Sequence, residues 1–268
     1  MIDLNRIYNE DCLEGMKRIP DGSVDLTVTS PPYDNLRTYN GNIEQWSFEK
    51  FQAIAKELYR ITKQGGVVVW VVADATIKGS ETGTSFEQAL YFKECGFNLH
   101  DTMIWAKDGF SYPDKNRYRA CFEYMFVFTK RKPTVVNLLA DRKNKYGGTL
   151  MHGTSRNPDG TTFRKSNDKK TKVAELGVRF NVWKIPCEKN NVFGHPAVFP
   201  IQLAQDHIIS WSNEGDTVLD CFMGSGTTAL AAINTNRNYI GFELDKQYCD
   251  IANERIQKAL AGSDEKGL

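Results

Sequence analysis

The chain has 268 residues, of which 41% are apolar, 25% charged and 12% aromatic, and its net charge is +1. That composition excludes general disorder and suits one large α/β domain or two small ones with a substantial core. The longest apolar stretch, GVVVWVVA over 66–73, falls far short of the roughly 20 residues a helix needs to cross a bilayer, which excludes a membrane helix.

The N-terminal MIDLNRIYNED carries acids where a signal peptide carries a basic and then an apolar region, which predicts a cytoplasmic protein. Val24 to Thr29 reads as a short buried strand. Over 48–62 apolar residues recur at helical spacing (Phe51, Ile54, Ala55, Leu58, Ile61), and Gly65-Gly66 is expected to end that helix. The β-branched run 67–72 predicts a central strand, 84–95 a helix capped by Gly96, and 97–107 and 121–130 two further strands. Beyond a basic segment, the pattern predicts helix over 200–211, strand over 217–221, helix over 226–234, strand over 239–243 and helix over 246–260. Strands alternating with helices imply an α/β fold, a mostly parallel twisted sheet with helices on both faces.

Six cysteines (Cys12, Cys95, Cys121, Cys187, Cys221, Cys249) form no CxxC pair, and the four histidines do not join them or acids at ligand spacing. Reduced thiols and no metal are expected.

The charge is unevenly spread. From Lys130 to Lys189 there are 15 Lys/Arg against 5 Asp/Glu, leaving 19 basic and 28 acidic residues elsewhere. A basic segment on an otherwise acidic chain suits a surface that meets phosphates. Its Gly, Asn, Thr and Ser content equally describes a solvated loop insertion.

Two turns carry chemistry. The first follows the strand VDLTV: in Thr29-Ser30-Pro31-Pro32-Tyr33 two prolines hold the backbone extended and remove two donors, leaving rigid carbonyls beside a hydroxyl and an aromatic face. Such a turn can bind an exocyclic amine while a ring stacks on a flipped base, or be only a rigid turn. The second is Asp220-Cys-Phe-Met-Gly224-Ser-Gly226-Thr-Thr-Ala229, between a strand and a helix, where glycines let backbone approach a ligand. Gly224, Gly226 and Ala229 satisfy the dinucleotide fingerprint formally, yet only 42 residues follow Gly226. A single nucleoside-like cofactor fits that length better than NAD, and a turn without ligand stays open.

In this chain order, TSPPY followed by DCFMGSGTT resembles the amino-group DNA methyltransferases of the permuted β class found in restriction–modification systems. Asn9-Glu10-Asp11-Cys12, Asn181-Val-Trp183-Lys-Ile-Pro186, His195-Pro196-Ala-Val-Phe-Pro200 and Tyr239-Ile-Gly-Phe-Glu243 extend the resemblance along most of the chain, although Val198 stands near the place where a lysine often follows the histidine and proline. The resemblance implies a Rossmann-like S-adenosylmethionine-dependent methyltransferase fold with circularly permuted motif order. It implies a catalytic half over 1–130 and a target-recognition segment over 131–190. The cofactor-binding half then follows over 191–268, and the two halves form one catalytic domain.

It further implies that Ser30, Pro31, Pro32 and Tyr33 are catalytic. S-adenosylmethionine is assigned to Asp11 and Cys12 at the adenine, and to His195 and Pro196 leading into the site. Asp220, Phe222, Gly224, Ser225, Gly226, Thr227 and Thr228 belong to the glycine turn, and Glu243 to the ribose. Arg142, Lys143, Lys145, Arg164, Lys165, Lys169, Lys170 and Lys172 are expected to hold the phosphates of double-stranded DNA. The implied reaction methylates an exocyclic amine whose lone pair is delocalised into the ring. Hydrogen bonds to Ser30 and the Pro31 carbonyl pull that nitrogen toward tetrahedral geometry, and Tyr33 stacks on the flipped base. A serine at the first catalytic position goes mainly with cytosine N4 in the resembled family, so N4 is favoured over adenine N6. Cys187 follows Pro186 but precedes the cofactor motif, the wrong order for a C5-cytosine nucleophile. RNA or protein methylation, and a DNA-binding module with a dead turn, are the other classes considered. A companion restriction endonuclease and either a monomer or a homodimer are compatible with the sequence.

Overall fold

Apolar β-branched runs need a sheet covered on both faces, and the larger of the chain's two units is built around one. A computed structural model describes residues 2–32, 46–109, 115–151, 153–164, 171–187 and 200–264. One unit comprises Met1–Asn137 with Asn181–Leu268, the other Leu138–Phe180.

The larger unit begins with β1 (Arg6–Tyr8), α1 (Cys12–Met16), β2 (Val24–Thr29), α2 (Phe48–Ile61) and β3 (Thr62–Val72). A small hairpin follows, β4 (Thr76–Ile77) and β5 (Ser80–Glu81), then α3 (Thr84–Glu94), β6 (Asn98–Ala106) and β7 (Phe122–Thr129). The smaller unit contains β8 (Arg142–Lys143), β9 (Thr154–Arg156), β10 (Thr162–Arg164) and β11 (Leu176–Gly177). The chain returns as β12 (Val182–Lys184), α4 (Ile201–Trp211), β13 (Thr217–Asp220), α5 (Thr227–Asn234), β14 (Asn238–Phe242) and α6 (Lys246–Asp264).

The main sheet runs β1-β14-β13-β2-β3-β7-β6-β12, and β7 is antiparallel to both its neighbours while every other pair is parallel. This is the expected Rossmann-like α/β architecture. Pleating sends alternate β3 residues to opposite faces. Val68, Trp70 and Val72 join Phe51, Ile54, Leu58, Phe92, Phe126 and Phe128 in one core under α2 and α3. The Trp70 indole donates to Gln88 Oε1 at 2.8 Å, which satisfies its one polar atom. Ser47 caps α2 by accepting from the Lys50 amide, and the apolar positions read from the helical period are all fully buried. Each such side chain contributes about 1.5–3 kcal/mol over leaving it in water.

One boundary differs from expectation. Helix α2 stops at Ile61, where Thr62 turns extended, and Gly65-Gly66 lie inside β3 rather than ending the helix. Val24 pairs with Thr62, yet Leu26 already pairs with Val67, so β3 bulges there. Gly65 has φ +82°, and a Cβ on Gly66 would stand 2.9 Å from the Asp25 carbonyl oxygen. The glycines therefore serve a strand irregularity. The short β1 and α1 show no period in the sequence; the Asp11 carboxylate caps α1 through the Leu13 amide.

The smaller unit is an irregular antiparallel ladder. Arg142 pairs with Gly177 and Lys143 with Leu176, Leu150 bridges to Lys172, and β9 pairs with β10.

Candidate active site

In a doubly wound sheet, ligands bind beyond the carboxyl ends of the strands, where successive connections leave in opposite directions. Here that point lies between β2 and β13. From β2 the chain crosses by α2 to β3, whereas from β13 it crosses by α5 to β14, on the other side of the pair. Right-handed crossovers put those helices on opposite faces. The carboxyl ends of β1, β14, β13 and β2, adjacent in the sheet, lead into Asn9–Cys12, Glu243, the glycine turn and the Ser30 turn.

The two turns are joined by one buried carboxylate. Asp220, 1% exposed, accepts from Thr29 Oγ1 at 2.6 Å and the Phe222 amide at 3.0 Å on one oxygen, and from Thr228 Oγ1 at 2.6 Å on the other. Burial raises its pKa, opposed by the bonds from Thr228, Thr29 and Phe222. Thr29 directly precedes Ser30, so Asp220 ties the proline turn to the first turn of α5. Ser30 and Pro32 are partly exposed and Pro31 is buried.

The glycine turn is also pinned. Gly226 is the N-cap of α5 at φ +85°, and a Cβ there would stand 2.9 Å from the Ala252 Cβ of α6. Only glycine gives that close approach with a left-handed backbone. Arg255 donates to the Ser225 carbonyl and hydroxyl at 2.5 and 2.9 Å.

Glu243 stands at the end of β14, its Oε2 accepting from the Gly224 amide at 2.7 Å and its Oε1 from the Asp245 amide at 2.8 Å. Burial pushes its pKa up to about 7 in spite of those amides. Asn9 donates to the carbonyls of Glu243 and Leu244, which links the loop after β1 to this corner. Asp11 carries an ion pair with Lys50 at 2.8 Å on the oxygen not used for capping. The Cys12 thiol, pushed up to about 12 chiefly by burial, stays neutral. The Phe222 ring meets Trp46 edge-on at 5.5 Å and Trp70 at 6.2 Å.

The structure thus gathers Asp11, Cys12, Ser30, Pro31, Pro32, Asp220, Phe222, Gly224, Ser225, Gly226, Thr227, Thr228 and Glu243 beyond the carboxyl ends of four adjacent strands. Tyr33, His195 and Pro196 lie outside the described residues. Sequence reasoning passed over Trp46, Lys50 and Arg255, and named Thr29 only as the first residue of the proline turn, with no role of its own. Of these only Thr29 left a signal, a polar residue closing an apolar strand. An acceptor for amine hydrogens, an aromatic wall and a carboxylate at a strand end suit a nucleoside-like ligand and an amine. Among the described residues no group of His, Cys, Asp and Glu is arranged to hold a metal ion.

In the smaller unit, Arg142 and Lys143 lie in β8, Lys145 just beyond, Arg164 ends β10 and Lys172 makes the bridge with Leu150. Lys165, Lys169 and Lys170 lie outside the described residues.

A family model described as a DNA methylase matches residues 24–254. The chain is 60% identical over 252 residues to the orphan methyltransferase M.BamHII of Bacillus amyloliquefaciens, covering 91% of this chain and 92% of that one. It superposes on the cytosine-N4-specific PvuII DNA methyltransferase with TM-score 0.69 at 21% identity, over 94% and 90% of the two chains, a likeness of fold. A DNA modification methylase from Thermus thermophilus, complexed with S-adenosyl-L-methionine, gives TM-score 0.62 at 25% identity over 96% of each chain.

Proposed function

The chain belongs to the DNA methylase family, and from that premise we propose that it methylates the exocyclic N4 amine of cytosine in double-stranded DNA. It is a site-specific, S-adenosylmethionine-dependent DNA methyltransferase of the type that modifies cytosine N4 or adenine N6. The observation that carries the assignment of its centre is the Asp220 bridge, which holds the Ser30 turn and the glycine turn together at the switch point.

The residues present fit the cofactor. Glu243 offers a carboxylate for ribose hydroxyls, Phe222 an aromatic face and Asp11 an acceptor for the adenine amine. The bound cofactor supplies an electrophilic methyl group. The chain's own part is to make the amine nucleophilic. Its N–H groups donate to Ser30 Oγ and to the Pro31 carbonyl oxygen, which draws the nitrogen out of conjugation and frees its lone pair. Tyr33 stacks on the extruded base, and the proton becomes acidic only after transfer, so no base of unusual pKa is needed. The choice of cytosine rests on Ser30, a small neutral acceptor where adenine enzymes of the resembled class mainly carry Asp or Asn. Lys143, Lys145 and Lys172 of the smaller unit hold the DNA phosphates.

The test is to incubate unmethylated DNA with the protein and labelled S-adenosylmethionine, digest to nucleosides and identify the product by mass spectrometry. N4-methylcytosine is expected. N6-methyladenine would overturn the assignment to cytosine and leave the centre intact.

A further inference from the structure

The β9–β10 hairpin has the geometry of a groove reader. Pairing is Arg156 with Thr162, Ser155 with Phe163 and Thr154 with Arg164. Residues directly opposite share a face and neighbours along a strand alternate. Arg156, Arg164, Thr154 and Thr162 therefore occupy one face, and Ser155 and Phe163 the other. None of the six is buried, and both arginines are exposed.

The hairpin is also pre-shaped. At its tip the Asn157 amide donates to the Thr161 carbonyl at 2.7 Å and the Gly160 amide to the Asn157 carbonyl at 2.9 Å. Asp159 Oδ1 accepts from both the Thr161 amide and hydroxyl, at 2.9 and 2.6 Å, and the Asn157 side-chain amide donates to Thr161 Oγ1 at 2.9 Å. The bonds from Thr161 hold the Asp159 carboxyl below its ordinary range. A turn so knitted loses little freedom on binding.

The arginines of the smaller unit divide into two kinds. Arg179 forks onto Asp141, and Arg142 lies over the Phe180 ring at 4.4 Å while donating to the Val178 carbonyl. The side chains of Arg156 and Arg164 make no hydrogen bond, ion pair or ring contact among the described residues. Two uncommitted guanidinium forks on a stiff two-stranded ribbon match the major groove, about 12 Å wide, which admits such a ribbon and presents guanine O6 and N7 to a fork. Two residues along a strand span about 7 Å, close to two base steps.

We propose that the β9–β10 hairpin enters the major groove and that Arg156 and Arg164 read guanines of the recognition site. This rests on the reading of the chain as a site-specific DNA methyltransferase.

The test treats unmethylated genomic DNA with the purified protein and S-adenosylmethionine, then maps the modified sites by single-molecule sequencing. Arg156→Ala, Arg156→Lys and Arg164→Ala are compared with the unaltered protein, and cofactor affinity on the same preparations verifies folding. Both Arg156 variants should lose roughly 10- to 100-fold of the preference for guanine at one position, the lysine variant despite its charge. Arg164→Ala should relax a second position about two base pairs away. Unchanged site preference in all three variants, with only a uniform loss of affinity and a smaller salt slope, places the arginines on phosphates and overturns the proposal alone. Absence of any modified site with the unaltered protein overturns both this proposal and the reading beneath it.

Discussion

The two units of the chain are stabilised in different ways. In the larger, Trp70, Phe51, Phe92, Phe128 and Phe242 are fully buried between sheet and helices. In the smaller, no described residue is buried, and Tyr146, Phe163, Leu176 and Phe180 are exposed. What holds the smaller unit is backbone pairing and a few polar pins, such as Asn144 on the Ala174 carbonyl and Arg179 on Asp141. Packed interiors hold side chains to a fraction of an ångström, as bond-making chemistry requires. A coreless ladder offers its backbone and side chains to a partner, and binding then stabilises it by mass action. Under the proposed function, that difference separates the task of positioning an amine from that of meeting a long polyanion.

The largest expected contrast is in stability. Phe51→Ala should cost about 3–5 kcal/mol in chemical denaturation, whereas Phe163→Ala on the ribbon should stay within about 0.5 kcal/mol. Equal losses would break the comparison. Next comes Ser30→Ala, expected to slow methyl transfer roughly 10²- to 10³-fold, the usual effect of removing one aimed hydrogen-bonding group, with cofactor affinity unchanged in a binding titration.

Thr29→Val removes the hydroxyl that ties the Ser30 turn to Asp220. Single-turnover rates should fall about tenfold, one net hydrogen bond's worth, while cofactor affinity holds and Thr29→Ser restores the rate. Equal rates in the valine and serine variants would reduce Asp220 to a packing role.

Glu243 yields a pH prediction. Its folded pKa, about 7, lies above the ordinary carboxyl value, so the carboxylate proposed to receive ribose hydroxyls is lost as pH falls through about 7. Cofactor affinity should weaken toward acid, by at most about tenfold per pH unit. Glu243→Gln should bind more weakly at pH 8 and lose that slope, and calorimetry at pH 6 and 8 checks both. The smallest effect belongs to the ladder: Lys172→Ala should lower the slope of log affinity against log salt by about 1, and an unchanged slope would make this lysine a bystander.

Much of the larger unit was legible. Its long strands and helices announce themselves through β-branched runs and the helical spacing of Phe51, Ile54, Leu58 and Ile61, because each buries a whole face. The site's two turns were legible for a similar reason: prolines and glycines are local backbone instructions, readable without neighbours. Gly65-Gly66 misled because a glycine pair marks a helix end and a strand bulge equally well.

By itself, then, the sequence determined the α/β alternation, the two turns and the basic segment between them, since these depend on periods and residue types a few positions apart. Only the tertiary structure decided that β2 lies beside β13 and that β7 runs against its neighbours. It also decided that Asp220 meets Thr29 from 191 positions away, and that Lys50 pairs with Asp11. Strand order and long-range pairs follow from which apolar faces bury together, and that is a property of the whole packed chain rather than of any short stretch of it.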